Sequence, residues 1–185
     1  MRLTAGRAHL RAWIAAFTVA FACAHAGTAA AAGCAGAQDQ PNGTNSKRLV
    51  HATLCLIDSE RVANGLRKVH WNHRLADAGR LHARAMLRGR FFGHRGPGEP
   101  ALGARLRKVR YFGGGGEILG TGGLATTPAT LVEAWMQSPV HRVEILERRF
   151  RTVGIVVVPR MPDGPTIQGL CAGPPCRSPL RDSAC

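Results

Sequence analysis

The run Ala134-Trp135-Met136-Gln137-Ser138-Pro139-Val140-His141-Arg142 decides the fold, because it joins two helices and presents a histidine where they meet. Before it, Thr127-Pro128 pairs a hydroxyl that can cap a helix with a proline suited to the first helical position. Ser138-Pro139 repeats this signal, so a second short helix follows directly and turns His141 inward. We expect the Ser138 hydroxyl to cap that helix rather than act as a nucleophile, since no Gly-x-Ser-x-Gly motif surrounds it.

Three further helices are predicted upstream from the spacing of apolar residues. The first runs from Leu49 to Val62 and stops at Asn64-Gly65, with Arg61 on its solvent side or at a helix-packing edge. Asn72 can cap the second, whose apolar stripe includes His82, and we interpret His82 as a core residue. A short third helix carries Leu102, Leu106 and Val109.

The strands are predicted after these helices. Val153 to Val158 is a continuous, β-branched run, which is typical of a strand covered on both faces. Asp163-Gly164-Pro165 then turns the chain, and Thr166 to Leu170 can return as the antiparallel neighbour. Helices before and between short strands predict an α+β fold in which a small sheet lies between two helical layers.

The chain of 185 residues is long enough for one domain of ordinary core size. Residues 1–32 have three arginines, an apolar run and a small-residue end, which together predict a signal peptide and a secreted protein. An uncleaved membrane anchor is the less favoured alternative. We assign residues 33–48 to a linker, 49–170 to the folded domain and 171–185 to an irregular tail rich in cysteine and proline.

The net charge is strongly positive, which indicates the kinds of partner that the protein can attract. Removing residues 1–32 lowers it only from +14 to +11, because that segment carries three arginines and no acid. Such a field favours peripheral contact with anionic surfaces without specificity. The basic residues are spread along the chain with no recognition motif, so no specific nucleic-acid binding is predicted. Lysine occurs only at Lys47, Lys68 and Lys108, and this arginine bias is also typical of a GC-rich genome.

Five cysteines follow the predicted signal segment, and in an exported chain they indicate disulfides rather than a metal site. They are Cys34, Cys55, Cys171, Cys176 and Cys185. Two bridges among five cysteines could form in many ways. We favour Cys34 with Cys55, which would clip the linker onto the first helix, and leave the pairing of the other three open.

Two more polar residues stand out beside His141. His94 emerges from the glycine-flanked turn after Phe91-Phe92, where it can face a cleft or the surface. Glu117 follows four glycines, Gly113 to Gly116, which we interpret as a flexible approach to it. These glycines do not form a phosphate-binding loop, because no Gly-Lys-Ser/Thr follows. Glu117 opens an apolar run, and a buried acid there needs a partner.

Taken in order, these features resemble the bacterial branch of the CAP superfamily, which includes cysteine-rich secretory proteins, antigen 5 and pathogenesis-related-1 proteins. The resemblance runs from about Leu49 to Leu170. Its motifs are Leu56-Ile57-Asp58-Ser59-Glu60-Arg61, Trp71 with Leu75, His82 with Met86, Phe92-Gly93-His94, Gly116-Glu117, the run from Trp135 to Arg142 with Ile145-Leu146, and Phe150 with Val153-Gly154.

The resemblance implies a three-layer α-β-α sandwich with a small, mainly antiparallel sheet, and a cavity lined by histidines and acids. His94, Glu117 and His141 match the family's cavity residues, which in some members bind zinc or another divalent ion. The chain departs from the family pattern elsewhere. Ile118 replaces an asparagine, Val140 replaces a glycine, Ser138 stands in place of a second glutamate, and Pro165 stands near a second histidine.

Two functions follow as hypotheses. The favoured one is a non-catalytic extracellular binding or interaction module whose His/Glu cavity, or the groove beside it, takes an envelope lipid, glycan or peptide. The alternative is a divalent-metal-dependent hydrolase of an envelope polymer or peptide, in which His94, Glu117 and His141 hold the ion. No HExxH motif or separate general base accompanies the three residues, so catalysis does not follow from them alone.

Overall fold

The computed structural model describes residues 33–122 and 126–158, and the backbone of 166–175. In chain order the elements are α1 Ser46–Ala63, β1 His70–Trp71, α2 His73–Gly89, α3 Leu102–Lys108, β2 Gly113–Thr121, α4 Pro128–Gln137, α5 Pro139–Ile145, β3 Thr152–Val158 and β4 Thr166–Pro175. The predicted signal peptide, the turn at residues 163–165 and the two last cysteines lie outside the described residues. Helices and strands together confirm the predicted α+β class.

The four strands form one sheet in the order β1-β3-β4-β2. The short β1 runs parallel to β3, whereas β4 pairs antiparallel with both β3 and β2. Glu117 of β2 lies opposite Leu170 of β4 in this register. The four glycines expected to be a flexible approach instead form the first part of β2, with a register irregularity between Gly113 and Gly115.

The larger apolar core lies between one face of the sheet and helices α1, α4 and α5. Alternate residues of β3, Val153, Ile155 and Val157, point into it because successive side chains of a strand face opposite sides. Trp135 of α4 is buried in the same core, and its indole N–H donates to the Leu119 carbonyl oxygen at 3.0 Å. Burying this ring therefore leaves no unpaired donor.

Helices α2 and α3 cover the opposite face of the sheet. There Gly154 of β3 meets the backbone of α2 so closely that a Cβ at this position would overlap Leu75 and Ala76. A smaller apolar cluster fills the rest of this side and comprises Leu75, Ala78, Leu106 and Tyr111. Helices on both faces of one sheet give the expected three layers.

The segment before α1 is tied to the domain at two points. Cys34 and Cys55 form a disulfide, with Cα atoms 5.7 Å apart, as the sequence prediction paired them. In addition, the Ala129 N–H donates to the Ala37 carbonyl oxygen at 2.9 Å. Closing a loop of 21 residues by a disulfide contributes about 3 kcal/mol in chain-entropy models. The bridge therefore holds the chain ahead of α1 against the body of the domain.

Arg61 is buried at a helix-packing edge and is 1% exposed. Its Nη1 atom donates to the carbonyl oxygen of Ile145 at 2.6 Å, and Nη2 donates to that of Phe150 at 3.1 Å. These two carbonyl oxygens lie at the end of α5 and after it, where no further helical turn provides an N–H donor. Arg61 thus joins the end of α1 to the segment that leads into β3.

The helix starts predicted at Asn72, Thr127 and Ser138 are all confirmed, but the capping hydrogen bond expected from the Ser138 side chain is not formed. Asn72 accepts hydrogen bonds from the backbone N–H groups of Arg74 and Leu75, and Thr127 forms a reciprocal capping box with Thr130. Ser138 begins α5 but its side chain makes no capping hydrogen bond. Within the described ranges, no helix combines the length and apolarity needed to cross a membrane.

Candidate functional site

Glu117 lies at the centre of a buried ionic network beneath α3. Its side chain is 3% exposed and both carboxylate oxygens face the guanidinium of Arg105. Arg105 Nη1 donates to Glu117 Oε2 at 2.8 Å, and Nη2 donates to Oε1 at 3.0 Å. This two-point pairing matches the planar guanidinium to the planar carboxylate, which makes it one of the stronger side-chain interactions.

His94 shares the same carboxylate but lies at the surface. Its Nδ1 atom is 3.0 Å from Glu117 Oε1, and its side chain is 61% exposed. Arg105 also holds the backbone at His94, because its Nη2 atom donates to the His94 carbonyl oxygen at 3.0 Å. Arg105 therefore positions two of the three predicted cavity residues, His94 and Glu117.

A second buried carboxylate, Glu99, extends the network to α2. Its Oε1 atom is 2.6 Å from His82 Nδ1, and its Oε2 atom accepts the Gly96 N–H at 3.1 Å. His82 is fully buried, as its place on the apolar stripe predicts, and its Nε2 atom is 3.8 Å from Glu117 Oε1. Glu99 thus fastens the loop after His94 onto α2.

Sequence reasoning missed Arg105 and Glu99, although both are more buried than His94. Arg105 is 3% exposed and sits next to Leu106, which forms part of the buried face of α3. In the sequence, a buried arginine next to an apolar helix face cannot be told from an arginine whose stem lies along that face while its charge stays in water. Glu99 stands in a segment rich in glycine and proline, where an acid is usually solvated.

His141, the third predicted cavity residue, lies on α5. In the described part of the chain no hydrogen bond or ion pair connects it with His94 or Glu117, and its buried Nδ1 atom has no hydrogen-bond partner. Glu144, one turn later on α5, lies against β2, because a Cβ at Gly116 would overlap its carboxylate. The lack of a side chain at Gly116 therefore makes room for a carboxylate that the sequence did not indicate.

The two carboxyl groups beside β2 have pKa values shifted in opposite directions. Burial by itself would raise the pKa of Glu117, but hydrogen bonds and charge from Arg105, with help from His82 and His94, hold that pKa below 4.5. Burial raises the pKa of Glu144, and the neighbouring Glu147 adds to the rise while His94 opposes it. Glu117 is thus stabilised as an anion, whereas Glu144 is not.

The residues that the family pattern assigns to a metal do not fit a resident ion as they are arranged. Both Glu117 oxygens accept hydrogen bonds from Arg105, and a metal bound to either one would lie beside the positive guanidinium. His94 directs one ring nitrogen to the same carboxylate. Among the described residues, no group of three His, Cys, Asp or Glu side chains is placed to hold a metal. Metal binding by His94, Glu117 and His141 stays a prediction that this geometry does not favour.

The same arrangement limits what Glu117 can do as an acid or base. A general base needs a free oxygen within reach of a substrate proton and a pKa near the working pH. Glu117 has a lowered pKa, its side chain is 3% exposed, and both its oxygens are occupied. Its chemistry is that of a buried anchor for Arg105 and for the loop that carries His94.

Comparison with known structures gives the same fold. An extracellular protein of Bacillus anthracis containing an SCP domain matches with a TM-score of 0.61 and 21% identity, over 70% of this chain and 41% of that one. An outer surface protein of Borrelia burgdorferi matches with a TM-score of 0.62 and 18% identity, over 69% and 93%. A cysteine-rich secretory protein of Staphylococcus aureus gives 0.59 and 18%, over 72% and 40%.

This chain therefore spans about two fifths of the Bacillus and Staphylococcus proteins and nearly all of the Borrelia protein. No curated protein sequence matches it significantly. A sequence profile of the cysteine-rich secretory protein family, CAP, matches residues 54–163, which is more than half of the chain. The sandwich of helices around a small sheet and this sequence match lead to one conclusion: the chain belongs to the CAP, or cysteine-rich secretory protein, family.

Proposed function

We propose that this protein is a non-catalytic extracellular binding module of the CAP family. The observation that carries the proposal is the two-point pairing of Arg105 with Glu117, which occupies the carboxylate that a hydrolase of this type would need as a ligand or base. Arg105 keeps its charge at physiological pH, and the lowered pKa of Glu117 favours the ionised carboxylate beside it. In this proposal the network fixes the shape of the surface around His94.

An extracellular location is part of the same proposal. The Cys34–Cys55 disulfide supports it, because disulfides persist in oxidising compartments. Three structural neighbours are described as extracellular, outer-surface or secretory proteins. The partners expected in that setting are the lipids, glycans and peptides of a cell envelope.

The alternative function, hydrolysis by a bound divalent ion, makes a different demand on the same residues. Glu117, which already lies 3.0 Å from His94, would have to leave Arg105 and share an ion with His94 and His141. Breaking a buried ion pair leaves a charge without compensation and costs about 3–5 kcal/mol. Metal coordination would have to offset that cost before any substrate could be activated.

Calorimetric titration with zinc of the oxidised, chelator-treated protein at neutral pH tests the proposal. We expect no binding at micromolar zinc to the wild type. His94→Ala and His141→Ala probe the predicted ligands, and His51→Ala, at an exposed position on α1, is the matched control. Micromolar or tighter binding that both site variants abolish and the control retains would contradict the proposal and favour the hydrolase.

A further inference from the structure

A groove at one end of the sheet combines cationic and aromatic side chains. It has a volume of about 630 Å³ and lies where β1 passes into α2 and where β2 and β3 begin. We call it the arginine–aromatic groove and define it by Trp71, His73, Arg74, Arg110, Phe112 and Arg151. None of these residues belongs to the network around Glu117.

The groove contains a contacting pair of rings, Trp71 and His73, and an exposed phenyl ring, Phe112. The Trp71 indole N–H donates to His73 Nδ1 at 3.2 Å, and the two rings meet edge to face with centroids 6.1 Å apart. Phe112 is 67% exposed, although the neighbouring Tyr111 is buried and its hydroxyl lies 3.3 Å from Thr152 Oγ1. The groove therefore presents an exposed phenyl ring and an indole to the same space, and aromatic rings of this kind are enriched at binding interfaces.

The arginines of the groove have no acidic partner in the described part of the chain. Arg74 Nη1 donates to the Arg110 carbonyl oxygen at 2.8 Å, and Arg151 Nη1 donates to the Phe150 carbonyl oxygen at 3.0 Å and to that of Arg148. These neutral contacts orient the guanidinium groups without neutralising them. No described acidic residue lines the groove. Three exposed guanidinium groups thus keep donors for an external anion.

We infer that the arginine–aromatic groove binds an acidic polysaccharide chain, with Phe112 and Trp71 stacking on sugar rings and the arginines pairing with carboxylates. A pyranose ring offers an apolar face to an aromatic side chain, and a uronic acid residue adds a planar carboxylate that a guanidinium can grip at two points. The choice of a glycan over another polyanion rests on the proposed extracellular function. Zinc titration can refute that function without using this groove, and the groove test below uses no metal.

The test is calorimetric binding of a linear oligogalacturonate to the oxidised protein at low salt. A neutral malto-oligosaccharide of the same length is the control ligand. We expect the wild type to bind the acidic oligomer, to bind the neutral one at least about tenfold more weakly, and to lose affinity as salt is added, because exposed ion pairs are screened. No binding of the oligogalacturonate would overturn the inference.

Single substitutions test whether the oligogalacturonate binds in the groove. Arg151→Ala and Phe112→Ala are each expected to weaken binding about tenfold, which corresponds to about 1.4 kcal/mol. Phe112→Trp is expected to keep the affinity of the wild type, because it retains an aromatic ring that can stack on a sugar. Arg84→Ala is the matched control, since Arg84 is exposed on the same α2 helix but lies about 15 Å further along its axis than Arg74. Circular dichroism checks that every variant is folded.

Three further results would overturn the inference. An equal loss of affinity in Arg84→Ala and Arg151→Ala would show binding by overall charge rather than by the groove. Tighter binding of single-stranded DNA, lost in the same groove variants, would assign the groove to nucleic acid, since that polymer also combines stacking with charge. Tighter binding of vesicles containing anionic phosphatidylglycerol, with the same dependence on Phe112 and Arg151, would assign it to a lipid surface.

Discussion

Arginine plays opposite parts in two regions of this molecule. In the network beneath α3, Arg105 is buried and both ends of its guanidinium face carboxylates of the same chain. In the arginine–aromatic groove, Arg74 and Arg151 are exposed, and their hydrogen-bond partners within the described residues are carbonyl oxygens. A cation whose counter-ion lies within the fold stabilises structure, whereas a cation whose counter-ion is absent from the described chain can serve a ligand. The comparison separates what holds this domain together from what it offers to partners.

The largest effect is expected when the buried arginine, Arg105, is removed. Arg105→Ala leaves the carboxylates of Glu117 and Glu99 buried without their guanidinium, and we expect a loss of about 3–5 kcal/mol in the free energy of unfolding. Arg105→Lys keeps the charge but not the two-point contact, so its loss should be smaller. Urea unfolding followed by circular dichroism measures both.

Arg151→Ala is the control for that measurement in the other region. Arg151 is exposed, and in the part of the chain that the structure describes it donates to carbonyl oxygens, so we expect the stability of Arg151→Ala to stay within about 0.5 kcal/mol of the wild type. Equal losses in Arg105→Ala and Arg151→Ala would remove the distinction between a structural and a ligand-binding arginine.

A smaller effect concerns the dependence of stability on pH. The folded pKa of Glu117 lies below its ordinary value of 4.5, so its ionised form stabilises the fold above pH 4.5 and that contribution is lost as the pH falls through the folded pKa. Glu117→Gln should therefore unfold more easily at neutral pH and lose less stability on acidification. Unfolding midpoints in urea between pH 7 and pH 3 give the comparison.

Glu144 provides a second pH test, because its pKa is shifted in the opposite direction to the pKa of Glu117. Its folded pKa is raised, chiefly by burial and then by Glu147, so its contribution to stability is greatest at low pH and is lost as the pH rises through the folded pKa. Glu144→Gln should increase stability at neutral pH. The same direction of change in Glu144→Gln and Glu117→Gln would contradict the assigned environments.

The layered fold follows from local signals in the sequence. Thr127-Pro128 and Asn72 start helices in the structure as they do in the prediction, because a cap acts on neighbouring backbone groups. The β-branched run at Val153 to Val158 is likewise covered on both faces, where strand alternation sends its residues into different layers. The glycines before Glu117 misled the prediction, since pairing with β4 makes a strand of residues that have no strand propensity of their own.

The site could be predicted only in part, because its contacts join distant segments. The motifs singled out His94 and Glu117, which the structure places 3.0 Å apart, but they did not indicate that Glu117 on β2 pairs with Arg105 on α3. Arg61 shows the same limit, since the carbonyl oxygen of Phe150 that it contacts lies 89 residues away. A buried cation and a solvated one have the same sequence pattern, and only the packed fold tells them apart.

The most direct test of the central claim, that Arg105 and Glu117 act as one structural unit, is a double-mutant cycle. Arg105→Met, Glu117→Met and the double variant are compared by urea unfolding at pH 7. We predict that each single variant loses several kcal/mol, whereas the double variant loses less than their sum by about 2–3 kcal/mol, because it leaves no buried charge without its partner. Losses that add to within about 0.5 kcal/mol would contradict the pairing and free Glu117 for a different role.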